Sequence, residues 1–409
     1  MVGKITSRYN RAFVLLCKST YCTIIALVDE ILSTSGTVII VIVDKDAANH
    51  VVLENNATEA GFFGLKNSNR DFSKESSWGK NQFNSSFPAA LCCYMNSLGY
   101  KANYLHIKDK KFQVGSITVE SLFGINPTDP NIYFGFEKVY LPYKKYITGD
   151  MPRTDLVVSK ASEQTEQTVG LEIKLTAIPD NTTKSLSEDQ YAPEIVVRPD
   201  TIVYLACALA QDNAELLKTL FTKDTQLVNR KDRTYVLENY DACLEKLRKL
   251  LLNAEAVQHP IILQPVWKTE GNSAVLAANC FDVFAWSSLG FLYFITENGK
   301  KAKQGVISRP MRTVLWLYCM LEDISLAGKT NYSHIIDSLS FSTKNDKAFA
   351  AAGTVTREYL ACDNLTKPRL TKESIGSIIL GQGQDFLRPE RRLDAMIVNS
   401  PEVFRHESS

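Results

Sequence analysis

Two neighbouring stretches decide how this chain is read: Pro152-Arg-Thr-Asp155-Leu-Val-Val-Ser159 and Val169-Gly-Leu-Glu172-Ile-Lys174-Leu175. The polar segment joining them, Ser159–Thr168, holds neither Gly nor Pro. Side chains alternate faces along a strand, so Glu172 and Lys174 project together while Leu171, Ile173 and Leu175 face a core. If the strands form a hairpin with Val158 opposite Val169, stepping outward brings Asp155 opposite Glu172. Cross-strand Cβ atoms lie roughly 4.5–5.5 Å apart, and two carboxylates that close repel unless a cation sits between them. Hard oxygen ligands suit Mg²⁺. Lys174, one pleat further on, would orient an attacking water and offset charge developing on a phosphate. The spacing is equally compatible with an ion-pair cluster on an exposed sheet face. A second acid-x-Lys triplet, Asp109-Lys-Lys111, has no matching upstream Asp, so the triplet means little by itself.

Working outward, Asn67–Pro88 is a polar stretch studded with Phe72, Trp78 and Phe83 and reads as a long loop able to touch a ligand. Pro88–Ser97 reads as a helix starting near Pro88. Strands are expected at Asn103–Ile107, Phe112–Val114 and Tyr133–Val139, ahead of the two decisive ones at Thr154–Val158 and Val169–Leu175. Asp200–Ala210 reads as a helix capped by Asp200, and Leu216–Phe221, Tyr240–Leu252 and Thr313–Leu326 as further helices. Gln258–Lys268 reads as a strand flanked by turns. Ala274–Thr296 reads as a long apolar helical stretch interrupted at Gly290, with Asp282 arguing against a membrane span. Strands and helices are both expected, and the chain is taken as α/β.

Composition bounds the rest. The chain has 409 residues, 45% of them apolar and 22% charged, as in a globular protein with a proper core. A formal charge of +1 announces no nucleic-acid partner, so attraction to phosphate must come from local clusters. Nine cysteines without a Cys-x-x-Cys read as reduced thiols of a cytoplasmic protein, and five isolated histidines make zinc an unsuitable metal. Lys4, Arg8 and Arg11 precede a short apolar stretch, Ala12–Cys17, but no run reaches the roughly 18 apolar residues of a membrane helix. Thr37–Val43 reads as a buried strand.

The motif Pro152-x-x-Asp155 with Glu172-x-Lys174 resembles the PD-(D/E)xK nuclease signature, with Pro152 three residues before the acid instead of next to it. The stretches Ser68–Leu91, Arg153–Val158, Leu171–Thr183 and Pro193–Ala206 are similar, as strings, to the HindVP/HgiDI family of type II restriction endonucleases. That resemblance implies a nuclease core, a mixed central sheet flanked by helices, with an additional, mainly helical C-terminal region. It implies Mg²⁺ held by Asp155, Glu172 and the backbone carbonyl of Ile173, with Lys174 assisting the water. It also implies homodimers cleaving double-stranded DNA at GRCGYC, with a cognate methyltransferase as functional companion.

The domain organisation expected is an N-terminal segment of unknown role (1–58), a nuclease core (59–215) and a region for recognition or dimerisation (216–409). Guanine in the major groove calls for Arg or Lys, and cytosine for acceptors. Candidate DNA contacts are Asn69, Arg70, Lys80, Asn81, Gln82 and Arg198, then Arg230, Lys231 and Arg233, then Lys300, Lys301 and Lys303, then Arg388, Arg391 and Arg392. For any single cluster a solvated face is the better reading. Glu75 or Glu120 is the candidate further carboxylate. Two other readings share these residues: a repair or structure-specific nuclease, and an inert DNA-binding protein of the same fold.

Overall fold

The computed structural model describes residues 40–42, 52–54, 65, 67–70, 80–161, 166–178, 195–254, 258–271, 273, 275–300, 305–341, 350–352, 357–379 and 400. The chain divides into two units, Met1–Glu59 and Ala60–Ser409. In the first, Ile40–Ile42 (β1) pairs antiparallel with Val52–Glu54 (β2), and β1 falls within the run Thr37–Val43 expected to be a strand.

In the second unit the elements follow as helix Lys80–Ser97 (α1), strands Ala102–Lys108 (β3) and Lys111–Ile117 (β4), helix Val119–Phe123 (α2) and strands Ile132–Lys138 (β5), Thr154–Lys160 (β6), Gln167–Ile173 (β7), Thr176–Ile178 (β8) and Ile195–Val197 (β9). Helices Pro199–Asp212 (α3), Ala214–Leu220 (α4) and Arg233–Asn253 (α5) lead to strands Pro260–Thr269 (β10) and Leu276–Ser287 (β11). Helices Ser288–Asn298 (α6), Arg309–Ala327 (α7) and Tyr332–Ser338 (α8), strands Ala350–Ala352 (β12) and Leu370–Thr371 (β13), and helix Lys372–Ile379 (α9) follow, with the single helical turns Arg357–Leu360 and Asp363–Thr366 between β12 and β13.

One mixed sheet runs β4-β3-β11-β10-β7-β6-β5, with β8 also on β10 and β13 on β11. Its hairpins are antiparallel, while β7 and β8 pair parallel with β10, and β3 pairs parallel with β11. Strand alternation sends its side chains into two apolar layers. Val157 and Ile262 join Ile202, Leu205, Leu247 and Leu317 from α3, α5 and α7 on one face. Leu156, Val158 and Leu171 join Phe87 and Leu91 of α1, Leu122 of α2 and Ile375 of α9 on the other. A mixed sheet with helices on both faces is the architecture expected, and helices α4 to α8 supply the helical C-terminal region. Among the described residues no helix is long and apolar enough to cross a membrane.

Three local expectations need correction. The stretch Ala274–Thr296 is not a long helix: Leu276–Ser287 is a strand and only Ser288–Asn298 is helical. Strand β11 lies inside the sheet and is buried on both faces from Cys280 to Ser287, so it shows no period of two, and periodicity cannot separate such a strand from a core helix. Gly290 does not interrupt a helix. It sits in the first turn of α6, capped by the Ser287 hydroxyl, where an added Cβ would meet the Leu105 carbonyl oxygen at 2.4 Å.

Helix α1 begins at Lys80, so Pro88 lies inside it and is not its first residue. Interior proline forfeits a backbone hydrogen bond; burial of Phe87, Ala89, Ala90, Leu91 and Cys92 against the sheet offsets that loss. The polar stretch Asn67–Pro88 is therefore helical over its last part. Finally, the cap position of α3 is Arg198 and Pro199 opens the helix, placing Asp200 one residue inside the first turn. Proline's fixed φ and missing N–H suit that first position.

Candidate active site

The β6–β7 hairpin has Leu156 opposite Leu171, Val157 opposite Gly170 and Val158 opposite Val169. The next pair outward is Asp155 and Glu172, so both acids leave the sheet on the same face. The Ile173 N–H donates to Asp155 Oδ2 at 2.8 Å, and Lys174 Nζ donates to Glu172 Oε2 at 3.1 Å. This face is not open to solvent, as a surface ion-pair cluster would require. Helix α3 covers it, leaving Glu172 5% exposed and the Lys174 side chain 13% exposed. The Lys174 N–H donates to the Leu263 carbonyl, pinning the end of β7 to β10, and the Tyr204 hydroxyl of α3 holds the Pro152 carbonyl at 2.9 Å.

Electrostatics within the pair are unfavourable as they stand. Burial pushes the Asp155 carboxyl up to about 6, Glu172 pushes it the same way, and Lys174, the Ile173 N–H and Arg198 oppose them. Asp200 is also raised, by burial first and Glu172 next, against Arg198 and Lys174. Two neighbouring carboxylates are hard oxygen donors of the kind that suits a divalent cation. Among the described residues no three histidine, cysteine or carboxylate side chains converge to hold a metal. Mg²⁺ takes one or two protein carboxylates and completes its octahedron with water and substrate phosphate, so the pair fits that ion.

This strain has a measurable consequence. The folded Asp155 titrates above its ordinary 3.8, so the folded state holds that proton more tightly than the unfolded chain does. Its contribution to stability is complete below about pH 4 and is lost as pH rises through about 6. Asp155→Asn keeps an oxygen for the Ile173 N–H and abolishes the charge. In chelator at about pH 7.5 it is expected to be more stable than the wild type by about 1–3 kcal/mol, the gap narrowing toward about pH 4. Urea unfolding at the two pH values measures this, and a variant no more stable at the higher pH would contradict it.

The other expected site residues are distributed as follows. Asn69 pairs with the Phe136 backbone through both side-chain ends, donating to its carbonyl at 2.9 Å and accepting from its N–H at 2.8 Å. Arg70 lies 3.4 Å from Glu137 and over the Phe136 ring. Arg198 stands at the start of α3, within electrostatic reach of Asp155 and Asp200. Arg230 is bound to Glu322 at 2.9 Å and Asp323 at 2.6 Å on α7. Arg233 donates to the Gly305 carbonyl, Lys231 is exposed, and Lys300 faces Glu297 at 3.5 Å. Glu120 is exposed on α2, whose apolar side chains pack in the layer opposite Glu172. Lys80, Asn81 and Gln82 lie in the first turn of α1 with side chains outside the described residues, as are Glu75, Lys301, Lys303, Arg388, Arg391 and Arg392 altogether.

The structure thus brings together Asp155, Glu172, Lys174 and Arg198, and adds two residues that sequence reasoning missed. The sequence reads Asp200 as a helix cap and gives no role to Thr201, whose hydroxyl donates to Glu172 Oε2 at 3.1 Å. The only signal for them was a helix start, Pro199-Asp-Thr201, directly after a short strand.

Comparison with known proteins identifies the family of the chain as a whole. The family model for HindVP restriction endonuclease matches residues 78–404. The chain is 42% identical over 351 residues to the type II restriction enzyme HgiDI of Herpetosiphon aurantiacus, covering 85% of this chain and 97% of that one. It is 42% identical over 350 residues to the probable type II restriction enzyme HindVP of Haemophilus influenzae, covering 84% and 94% respectively. No solved structure matches it. With a family match across most of its length and two full-length relatives, the chain belongs to the HindVP restriction endonuclease family, whose members are type II restriction enzymes.

Proposed function

We propose that this endonuclease hydrolyses both strands of DNA at the palindrome GRCGYC in a Mg²⁺-dependent reaction centred on Asp155, Glu172 and Lys174. The observation that carries the reading is the pairing of Asp155 and Glu172 on one covered sheet face with an ammonium 3.1 Å from the second acid. Asp155, Glu172 and the Ile173 carbonyl would hold the ion, which supplies Lewis-acid stabilisation to the scissile phosphate when bound. Lys174, tethered to Glu172, orients the attacking water and offsets charge on the phosphoryl oxygens. Arg198 is assigned to the neighbouring phosphate, a contact that positions DNA without reading sequence. Arg70, Lys80, Asn81 and Gln82 are assigned to recognition, because they lie ahead of α1 or in its first turn, on the chain segment preceding the sheet.

A palindromic target calls for a twofold homodimer with one centre per strand. A methyltransferase modifying the same sequence is the companion that would protect host DNA.

The deciding experiment is digestion of a supercoiled plasmid carrying a single GRCGYC site. With Mg²⁺ it should yield one linear species whose sequenced ends map to that site, and with chelator it should yield none. Discrete cutting elsewhere would refute the target; an untouched plasmid would refute cleavage of intact duplex and favour a repair-type substrate.

A further inference from the structure

Helix α3 enters the site through Thr201, which is 1% exposed. Its Oγ1 donates to Glu172 Oε2 at 3.1 Å, and Lys174 Nζ donates to that same oxygen at 3.1 Å. Both donors therefore fall on Oε2, and among the described residues none falls on Oε1. Threonine in a helix commonly returns its hydroxyl to the carbonyl one turn back; here it is turned across the interlayer space onto a carboxylate of the sheet.

The two donors differ in kind. Lys174 is a flexible ammonium that the proposed reaction also assigns to the water and the phosphate, so it is shared between Glu172 and the substrate. Thr201 sits on a helix whose residues 201–210 are all buried, and its χ1 is stiff because it is β-branched. It is the anchor that stays.

We propose that Thr201 is a positioning residue of the catalytic centre: its hydroxyl fixes the plane of the Glu172 carboxylate, leaving Oε1 presented to the divalent cation. This rests on the reading of Asp155 and Glu172 as cation ligands. Partners that orient a metal ligand typically contribute about 10–100-fold in metal affinity, and an effect of that order is expected here.

The test uses full-length protein bound to a GRCGYC duplex, titrated calorimetrically with Ca²⁺, alongside the Mg²⁺ concentration giving half-maximal cleavage. Thr201→Val, which keeps the shape and deletes the hydroxyl, should weaken Ca²⁺ binding by about tenfold or more and raise the Mg²⁺ requirement by a similar factor. Thr201→Ser, which keeps the hydroxyl, should stay within about threefold of the wild type in both, well below that range. If serine fails as badly as valine, methyl packing is responsible and the proposal is wrong. If Thr201→Val binds Ca²⁺ like the wild type while Glu172→Gln does not, the positioning role is refuted and the cation site survives. If Glu172→Gln also binds like the wild type, the cation site falls and the role of Thr201 falls with it.

Discussion

Lys174→Ala is expected to slow DNA cleavage by at least about a thousandfold, at the upper end of what one preorganised charge at a reacting centre contributes. The prediction has a second half that separates catalysis from mere stability. In the wild type the ammonium occupies Glu172 Oε2 and relieves part of the repulsion between Asp155 and Glu172. Without it the acid pair is left more negative, so Ca²⁺ should bind at least as tightly as before, and the variant should still retain a GRCGYC duplex in Ca²⁺. A gel-shift titration in Ca²⁺ paired with single-turnover cleavage in Mg²⁺ reads both quantities. Cleavage at the wild-type rate would remove Lys174 from the mechanism. Parallel loss of DNA binding would reduce it to a structural ion pair.

Asp282→Ala is expected to cost about 3–5 kcal/mol of stability, the usual effect of removing one partner from a buried charge pair. Asp282 is fully buried on β11 and accepts from Arg369 through both oxygens, at 2.7 and 2.8 Å. Its Oδ1 also accepts from Asn103 at 3.1 Å and from the Val283 N–H at 2.7 Å. Arg369 continues to the Lys101 carbonyl at 2.8 Å, so the cluster ties the segment before β13 to both β11 and β3. Alanine would remove the carboxylate that both groups share, leaving Arg369 with the Lys101 carbonyl and Asn103 with the Val283 carbonyl as remaining acceptors. Asp282→Asn, which retains an acceptor, should recover part of the loss. Denaturant unfolding of the three proteins measures the series, and an alanine variant within about 1 kcal/mol of the wild type would contradict the account.

Asp282 also marks how differently sequence and structure weigh one residue. In the sequence it argued only that Ala274–Thr296 was no membrane helix; in the fold it is the acceptor around which two strands and a distant arginine assemble. The Arg230 cluster changed meaning in the same way. A run with Arg230, Lys231 and Arg233 looks like a surface for phosphate, yet Arg230 is held by two acids on α7. Sequence distance hid those partners, since ion pairs across a fold leave no local pattern.

The amino-acid order by itself determined the β6–β7 hairpin that carries the candidate site. A period of two decides which side chains share a face, and the hydrophobic pattern sets the register because a one-residue slip would bury the wrong set; Val158 does lie opposite Val169. Only the tertiary structure decided that α3 roofs the acids, that Thr201 and Asp200 attend them, and that β11 is a central strand. Those outcomes depend on packing between elements far apart in the chain, and a strand buried on both faces or a helix crossing a sheet carries no periodic signature of its neighbours.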